Sequence, residues 1–147
     1  MITYYPLPTK IRRVERATDT LPAGVAEALF TVTGGRIVVY QIVGEVTTAI
    51  QNQANATKLI HTVAVGTDAD LCAVLDIAND EVGTLYGITG TFADAMLGAG
   101  QALPGQTSPI VLKPGSIELS CAATNTGSVK WSLYWAPLDD GVSVAAA

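Results

Sequence analysis

The sequence VKWSLYW at residues 129–135 decides the fold class, because its side chains alternate strictly between apolar and polar. Successive side chains of a β-strand point to opposite faces, so this segment is predicted to be a strand with one buried face. The buried face would carry Val129, Trp131, Leu133 and Trp135, and the opposite face Lys130, Ser132 and Tyr134. The two tryptophans share their face with aliphatic residues, which favours core positions over an exposed sugar-binding platform.

Segments of the same kind recur along most of the chain. Residues 116–122 alternate in the same way, with Ile117, Leu119 and Cys121 on one face. We count about eight short strands, separated by Gly, Pro, Asn and Asp turn signals. No alternation of strands with helices and no heptad pattern is present. The sequence therefore predicts an all-β protein, an antiparallel β-sandwich or barrel with jelly-roll-like topology.

Three local predictions are specific enough to be tested by a structure. Residues 29–43 are expected to form a hairpin around Gly34-Gly35, because a two-residue turn needs positive φ angles. Its second arm is apolar on both faces, which predicts a central strand. Residues 71–77 are expected to form a strand, and the Gly- and Ala-rich residues 92–106 a loop with one turn of helix.

The first 22 residues are predicted to be an extended N-terminal arm, and residues 23–147 a single β domain. Pro6, Pro8 and Pro22 fix φ and forbid a long helix in the arm. A domain of this length buries a core without disulfides or metals.

The composition points to burial of apolar surface beyond the core. The 147-residue chain is 49% hydrophobic and only 14% charged, against about 25% charge in a typical soluble domain. No apolar run approaches the roughly 18 residues of a membrane-spanning helix. We therefore expect an interface to another subunit or protein, and no membrane partner.

The charges are unevenly distributed along the chain. The net charge is −5, which argues against nucleic acid, since phosphate-binding surfaces need clustered basic residues. The segment from Leu59 to Leu112 contains acidic residues but no Lys or Arg. The arm, in contrast, is basic, and it is either a partner-binding segment or a solvated tail. The candidate partner-binding residues are Lys10, Arg12, Arg13 and Arg16.

The sequence offers little for catalysis or metal binding. His61 is the only histidine, which argues against zinc, and its place in an apolar strand segment favours a structural role over catalysis. Two buried free thiols are favoured over a disulfide for Cys72 and Cys121. No cofactor or catalytic residue is predicted. Calcium binding stays open for an acidic group that departs from the EF-hand spacing, namely Asp68, Asp70, Asp76, Asp80 and Glu81.

Longer stretches of the chain resemble a known group of proteins. They are DLCAVLDIANDEVGTLYGITG at 70–90, LKPGSIELS at 112–120 and TGSVKWSLYWAPLD at 126–139, together with residues 29–56. These stretches are similar to small virion structural proteins of tailed bacteriophages, and the resemblance covers roughly residues 28–140. It is a similarity of sequence style without a catalytic fingerprint.

The resemblance implies a non-enzymatic protein of the virus particle. Capsid decoration (cement) proteins match best in size and β character, and they are commonly trimers on the three-fold positions of the shell. We therefore expect a homotrimer on the capsid exterior, bound to the major capsid protein or another virion protein. Because the N-terminus lacks a signal-peptide pattern, assembly is expected in the host bacterial cytoplasm. The alternatives are a tail, neck or head-fibre component, or a carbohydrate-binding module.

Overall fold

The computed structural model describes residues 10–147, and it is all-β, with no helix among those residues. Every strand ladder is antiparallel, and the strands form two sheets that pack face to face. Sheet A contains β1 (Arg12–Thr20), β3 (Ile37–Thr48), β7 (Leu85–Gly87), β8 (Leu97–Ala99), β9 (Ile110–Leu112) and β11 (Ser128–Pro137). Sheet B contains β2 (Ala26–Thr33), β4 (Ala56–Val63), β5 (Ala69–Asp70), β6 (Leu75–Asp76), β10 (Gly115–Cys121) and β12 (Ser143–Ala146). The predicted antiparallel β-sandwich is confirmed.

The connections between long strands cross from one sheet to the other. Sheet A has the order β1-β11-β3-β7-β8, with β9 also paired to β3. Sheet B has the order β12-β2-β10-β4-β5, with β6 also paired to β4. In both sheets, strands from the beginning of the chain alternate with strands from its end: β1-β11-β3 in sheet A and β2-β10-β4 in sheet B. This is the jelly-roll arrangement, to which β12 is added as an extra edge strand. No described helix is long and apolar enough to cross a membrane.

An inner strand of sheet A is β11, which pairs with β1 on one side and β3 on the other. Its predicted inward residues are all buried, and the exposed fraction is 1% for Trp131 and 0% for Leu133. Trp131 lies in register with Gly44 of β3, and Gly44 is in turn in register with Tyr86 of β7. The glycine leaves room above itself, so the Trp131 and Tyr86 rings stack there with their centroids 6.3 Å apart.

The hairpin prediction for residues 29–43 is wrong, although β3 is a central strand as expected. Gly34 and Gly35 connect β2 of sheet B to β3 of sheet A, so the two strands do not pair with each other. Gly34 has a φ of 89°, and a Cβ there would lie 2.5 Å from the carbonyl oxygen of Gly141. The glycines are therefore needed for a crossover between sheets, a feature with the same local sequence signature as a hairpin turn.

Two further local predictions are corrected. Residues 71–77 are not a continuous strand, since only Leu75–Asp76 forms a strand, paired with β4, and Ala73 makes an isolated parallel bridge to Ala95. The segment 92–106 contains the short strand β8 and no helical turn. Both segments lie at the edge of the sandwich. There the backbone N–H and C=O groups form hydrogen bonds with side chains and within turns, and long strand ladders are not needed.

The segment predicted as an arm contains a strand of the sandwich. From Arg12 to Thr20 it is β1, the edge strand of sheet A, and Leu21 is buried in the core cluster. Val14 packs against the core from this strand. The first part of the predicted arm, residues 1–9, lies outside the described residues.

Candidate functional site

The predicted partner-binding residues are divided by the pleat of β1. Arg12 and Arg16 are in register with Trp135 and Trp131, whose side chains face the core. Arg13 is in register with Tyr134, on the opposite face of sheet A. Lys10 is exposed just before the strand. The structure thus places all four residues at the β1 edge of sheet A. Two of them face the core side of the sheet and two do not.

Arg12 and Arg16 contribute to the fold through their contacts with neighbouring groups. The guanidinium of Arg12 lies 5.3 Å from the centre of the Trp135 ring, a cation–π contact. Arg16 donates through Nε to the carbonyl oxygen of Ala147 at 3.3 Å and through Nη2 to Asp19 at 3.1 Å. These two arginines therefore cover the side of the sandwich, while Lys10 and Arg13 are more available to a partner.

Four of the five candidate cation ligands accept hydrogen bonds from donors within the protein. Asp68 accepts a hydrogen bond from the backbone N–H of Val63, and Asp70 pairs with Lys58 at 2.8 Å. Asp76 accepts from the N–H groups of Asn55 and Ala78, and these bonds lower its pKa. Within residues 10–147 no three Asp, Glu, His or Cys side chains are arranged to hold a metal ion.

Asp80 has a different partner, the buried hydroxyl of Tyr86. The Tyr86 hydroxyl donates to Asp80 at 2.5 Å. Burial raises the pKa of Asp80, the hydrogen bond from Tyr86 opposes that rise, and the charge of Asp76 adds to it. Burial and the bond to Asp80 also raise the pKa of Tyr86. The pair lies next to an open acidic hollow of about 360 Å³, which Asp76, Asp80 and Glu81 line from one side and residues 98–100 from another.

His61 and the cysteines are in structural environments. His61 is buried in β4, and its two ring nitrogens lie 3.1 and 2.9 Å from the carbonyl oxygens of Ser116 and Lys113. Cys72 and Cys121 are both free and buried, and burial raises the pKa of each thiol. A reactive thiol needs a lowered pKa, so the raised values indicate that both cysteines serve in packing.

The part of the chain from residue 10 onward keeps several large apolar side chains exposed. Val65 is 81% exposed and Val82 is 63% exposed. The others, each exposed by about half, are Ile11, Val25, Val74, Phe92, Val111 and Leu138. Part of the high hydrophobicity of the sequence is therefore on the surface of the folded chain, where it is available for contact.

The sequence pattern does not mark these apolar residues as exposed. Phe92, for example, lies in a segment predicted to be a loop with one turn of helix, with no interaction role. The lack of basic residues between Leu59 and Leu112 was the available signal, but its place in the fold depended on the strand order.

No protein-family model matches this sequence, and no curated protein or solved structure is significantly similar to it.

Proposed function

We propose that this chain is a non-enzymatic structural protein of a bacteriophage virion, a capsid decoration protein that binds the outside of the shell as a homotrimer. The supporting observation is the apolar surface that the folded domain leaves exposed, above all at Val65, Val82 and Phe92. Scattered exposed apolar residues are normal, but three that lie within thirty residues of a low-charge chain favour a contact surface. The resemblance of residues 28–140 to phage virion proteins supplies the particle context.

The fold is compatible with this role, and the contacts of its polar groups support it. Jelly-roll sandwiches occur in viral capsid and lectin domains, among others, so the fold by itself does not choose between functions. The carboxylates of Asp68, Asp70, Asp76 and Asp80 are bound to donors within the domain. A protein whose polar groups serve its own fold is well suited to work by forming contacts.

A tail, neck or head-fibre component is the second candidate, because it would have the same composition and fold. Copy number separates the two proposals, since decoration implies hundreds of copies per particle and tail parts a handful or dozens. A carbohydrate-binding module ranks behind both. Trp131 and Trp135, the residues that would form a stacking platform, are 1% and 4% exposed.

The proposal is tested in two steps. Light scattering behind a sizing column should give about 46 kDa, three times the subunit mass of 15.2 kDa. The purified protein should then co-sediment with heads of the encoding phage that lack it, at hundreds of copies per head. A stable 15.2 kDa monomer that does not bind heads would overturn the proposal.

The deletion that tests the arm should stop before β1. Removing residues 1–9 leaves Arg12, Val14 and the ladder to β11 in place. Removing residues 1–20 would also take away the edge strand that covers Trp135, and loss of binding would then report damage to the domain.

A further inference from the structure

The basic and acidic residues, which are separated along the sequence, lie at two opposite edges of the sandwich. We define the basic edge as residues 10–20, which comprise Lys10 and strand β1. It carries four basic residues against Glu15 and Asp19, a net charge of +2. We define the acidic edge as residues 68–100, which comprise strands β5 to β8. This segment includes no Lys or Arg and has a net charge of −6 from Asp68, Asp70, Asp76, Asp80, Glu81 and Asp94. One of these carboxylates, Asp70, is paired with Lys58 of the neighbouring strand β4.

The strand order places these edges far apart on one molecule. Sheet A runs from β1 to β8 through three intervening strands, so four spacings of about 4.8 Å separate them. In sheet B, β12 lies at the basic side and β5 at the acidic side. Arg16 joins the two sheets at the basic side through the carbonyl oxygen of Ala147. The acidic hollow lies where β6 and β8 meet at the other side.

Exposed apolar residues accompany the charges on both edges. On the acidic edge Val74, Val82 and Phe92 are 50%, 63% and 50% exposed. On the basic edge Ile11 is 51% exposed. Apolar groups surrounded by charges are the usual composition of a protein interface, with contact area at the centre and electrostatic matching around it.

The basic edge is protected against simple strand addition. Arg12 and Arg16 occupy inward positions of β1, and the ladder to β11 is irregular between Arg16 and Asp19. Inward charges and bulges are the features by which edge strands avoid pairing with other strands. Contacts at this edge should therefore be made by side chains, for which charge complementarity decides the partner.

We propose that the basic edge of one copy docks against the acidic edge of the next copy, a heterologous contact that closes the homotrimer into a ring. A ring of three requires two different, complementary patches on each subunit, and the two edges provide them. This inference rests on the proposed function only for the number of subunits in the ring.

Zero-length crosslinking with a carbodiimide tests the contact directly. The reagent joins the Lys10 amine to a carboxylate as an amide, with the carboxylate oxygen leaving on the reagent as a urea. Because the two edges lie on opposite sides of one subunit, a link between Lys10 and residues 68–94 must join two copies. We expect a covalent trimer on a denaturing gel and this linked peptide in its digest. An oligomer whose only interchain links fall elsewhere would overturn the proposal.

Charge variants provide the second readout. The double variant Lys10→Glu and Arg13→Glu should lower the mass in light scattering from about 46 kDa toward the 15.2 kDa of the monomer. Asp94→Asn with Glu81→Gln, which removes two carboxylates of the acidic edge without breaking an ion pair, should act in the same direction. The control Glu118→Gln changes charge in β10, between the two edges, and should leave the mass unchanged.

The outcomes separate this inference from the proposed function. A trimer that withstands both edge variants overturns the edge contact and leaves the trimer proposal standing. A wild-type monomer overturns both. Loss of the trimer in the Lys10 and Arg13 variant alone, with the acidic-edge variant unaffected, also overturns the pairing of these two edges.

Discussion

At the residue scale, Gly44 illustrates how one missing side chain organises the core. It lies in register with both Trp131 and Tyr86, and the two rings meet over it. A Cβ at this position would lie 2.8 Å from atoms of the Trp131 ring. Since Trp131 is 1% exposed and packed on all sides, the ring has little room to move.

Gly44→Ala is therefore expected to destabilise the domain by about 1–3 kcal/mol through overpacking. The measurement is urea unfolding followed by tryptophan fluorescence. Gly100→Ala is the matched control, because nothing lies within 4 Å of the added Cβ, and it should be neutral or slightly stabilising. Equal effects of the two substitutions would contradict the packing account.

Tyr86 gives a second prediction at this scale. Its hydroxyl donates to Asp80 from a side chain that is 1% exposed. Tyr86→Phe leaves the partly buried carboxylate without this donor, so it should cost about 1–2 kcal/mol. It should also raise the pKa of Asp80 further, because the hydrogen bond now holds that pKa down. Thermal unfolding and an NMR titration of Asp80 measure the two effects.

Tyr134→Phe is the control for this substitution. Tyr134 is half-buried on the outer face of sheet A, and its hydroxyl should matter by less than about 0.5 kcal/mol. If Tyr134→Phe destabilised the protein as much as Tyr86→Phe, the loss would reflect a general property of tyrosines in this sheet.

At the scale of elements, an ion pair connects two crossovers at one end of the sandwich. Arg36, the last residue of the β2–β3 connection, donates to both carboxylate oxygens of Asp139 at 2.8 and 2.9 Å. Asp139 lies in the β11–β12 connection and also accepts a hydrogen bond from the backbone N–H of Arg36. The Arg36 side chain is the main cause that lowers the pKa of Asp139 to about 2.

This pair predicts a pH dependence of stability with a definite sign. The pKa of Asp139 is about 2 in the folded chain and about 3.9 when unfolded. Its contribution is therefore fully present above pH 4 and is lost as the pH falls through 2. Arg36→Met should lower the melting temperature at pH 7, and the difference from wild type should shrink between pH 4 and pH 2.

Lys113→Met is a control for that series, since it removes a basic residue at the same end of the sandwich. Its difference from wild type should change little between pH 4 and pH 2. A constant difference for Arg36→Met across the same range would show that Asp139 titrates normally.

The strands could be predicted from the sequence where side-chain alternation is strong, and the connections could not. β10 and β11 alternate over seven or more residues, so burial of one face fixes their type and orientation. Gly34-Gly35 permits a hairpin and a crossover equally well, because both need positive φ angles. The choice depends on which strands β2 and β3 pair with, and those partners, β10 and β11, come late in the chain.

The candidate site shows the same division between local and long-range information. The basic cluster at residues 10–16 was visible in the sequence. The inward direction of Arg12 and Arg16 follows from their register with Trp135 and Trp131, which only the fold provides. Likewise, the acidic carboxylates were visible, but their donors come from elsewhere in the structure, for example Lys58 for Asp70.

At the scale of the whole molecule, the proposed edge contact would allow a chain with a net charge of −5 to associate with copies of itself. A uniform charge of this sign would repel, whereas separation into a basic and an acidic edge makes one relative orientation favourable. The apolar residues on those edges then add about 25 cal/mol for each Å² of apolar surface removed from water. In the proposed contact, charge would therefore set the orientation of the two copies, and burial of the apolar residues would provide most of the affinity.

This division of roles predicts different responses at two exposed valines. Val82→Lys places a positive charge on the acidic edge, where docking would bring it against the basic edge of the next copy. We expect the mass in light scattering to fall from about 46 kDa to the 15.2 kDa of the monomer, with no change in melting temperature at low protein concentration. Val111→Lys is the control, because Val111 is similarly exposed, at 55% against 63%, but lies in β9, outside both edges. If Val111→Lys dissociated the oligomer and Val82→Lys did not, the contact surface would be around β9 and the acidic edge would have no role in assembly.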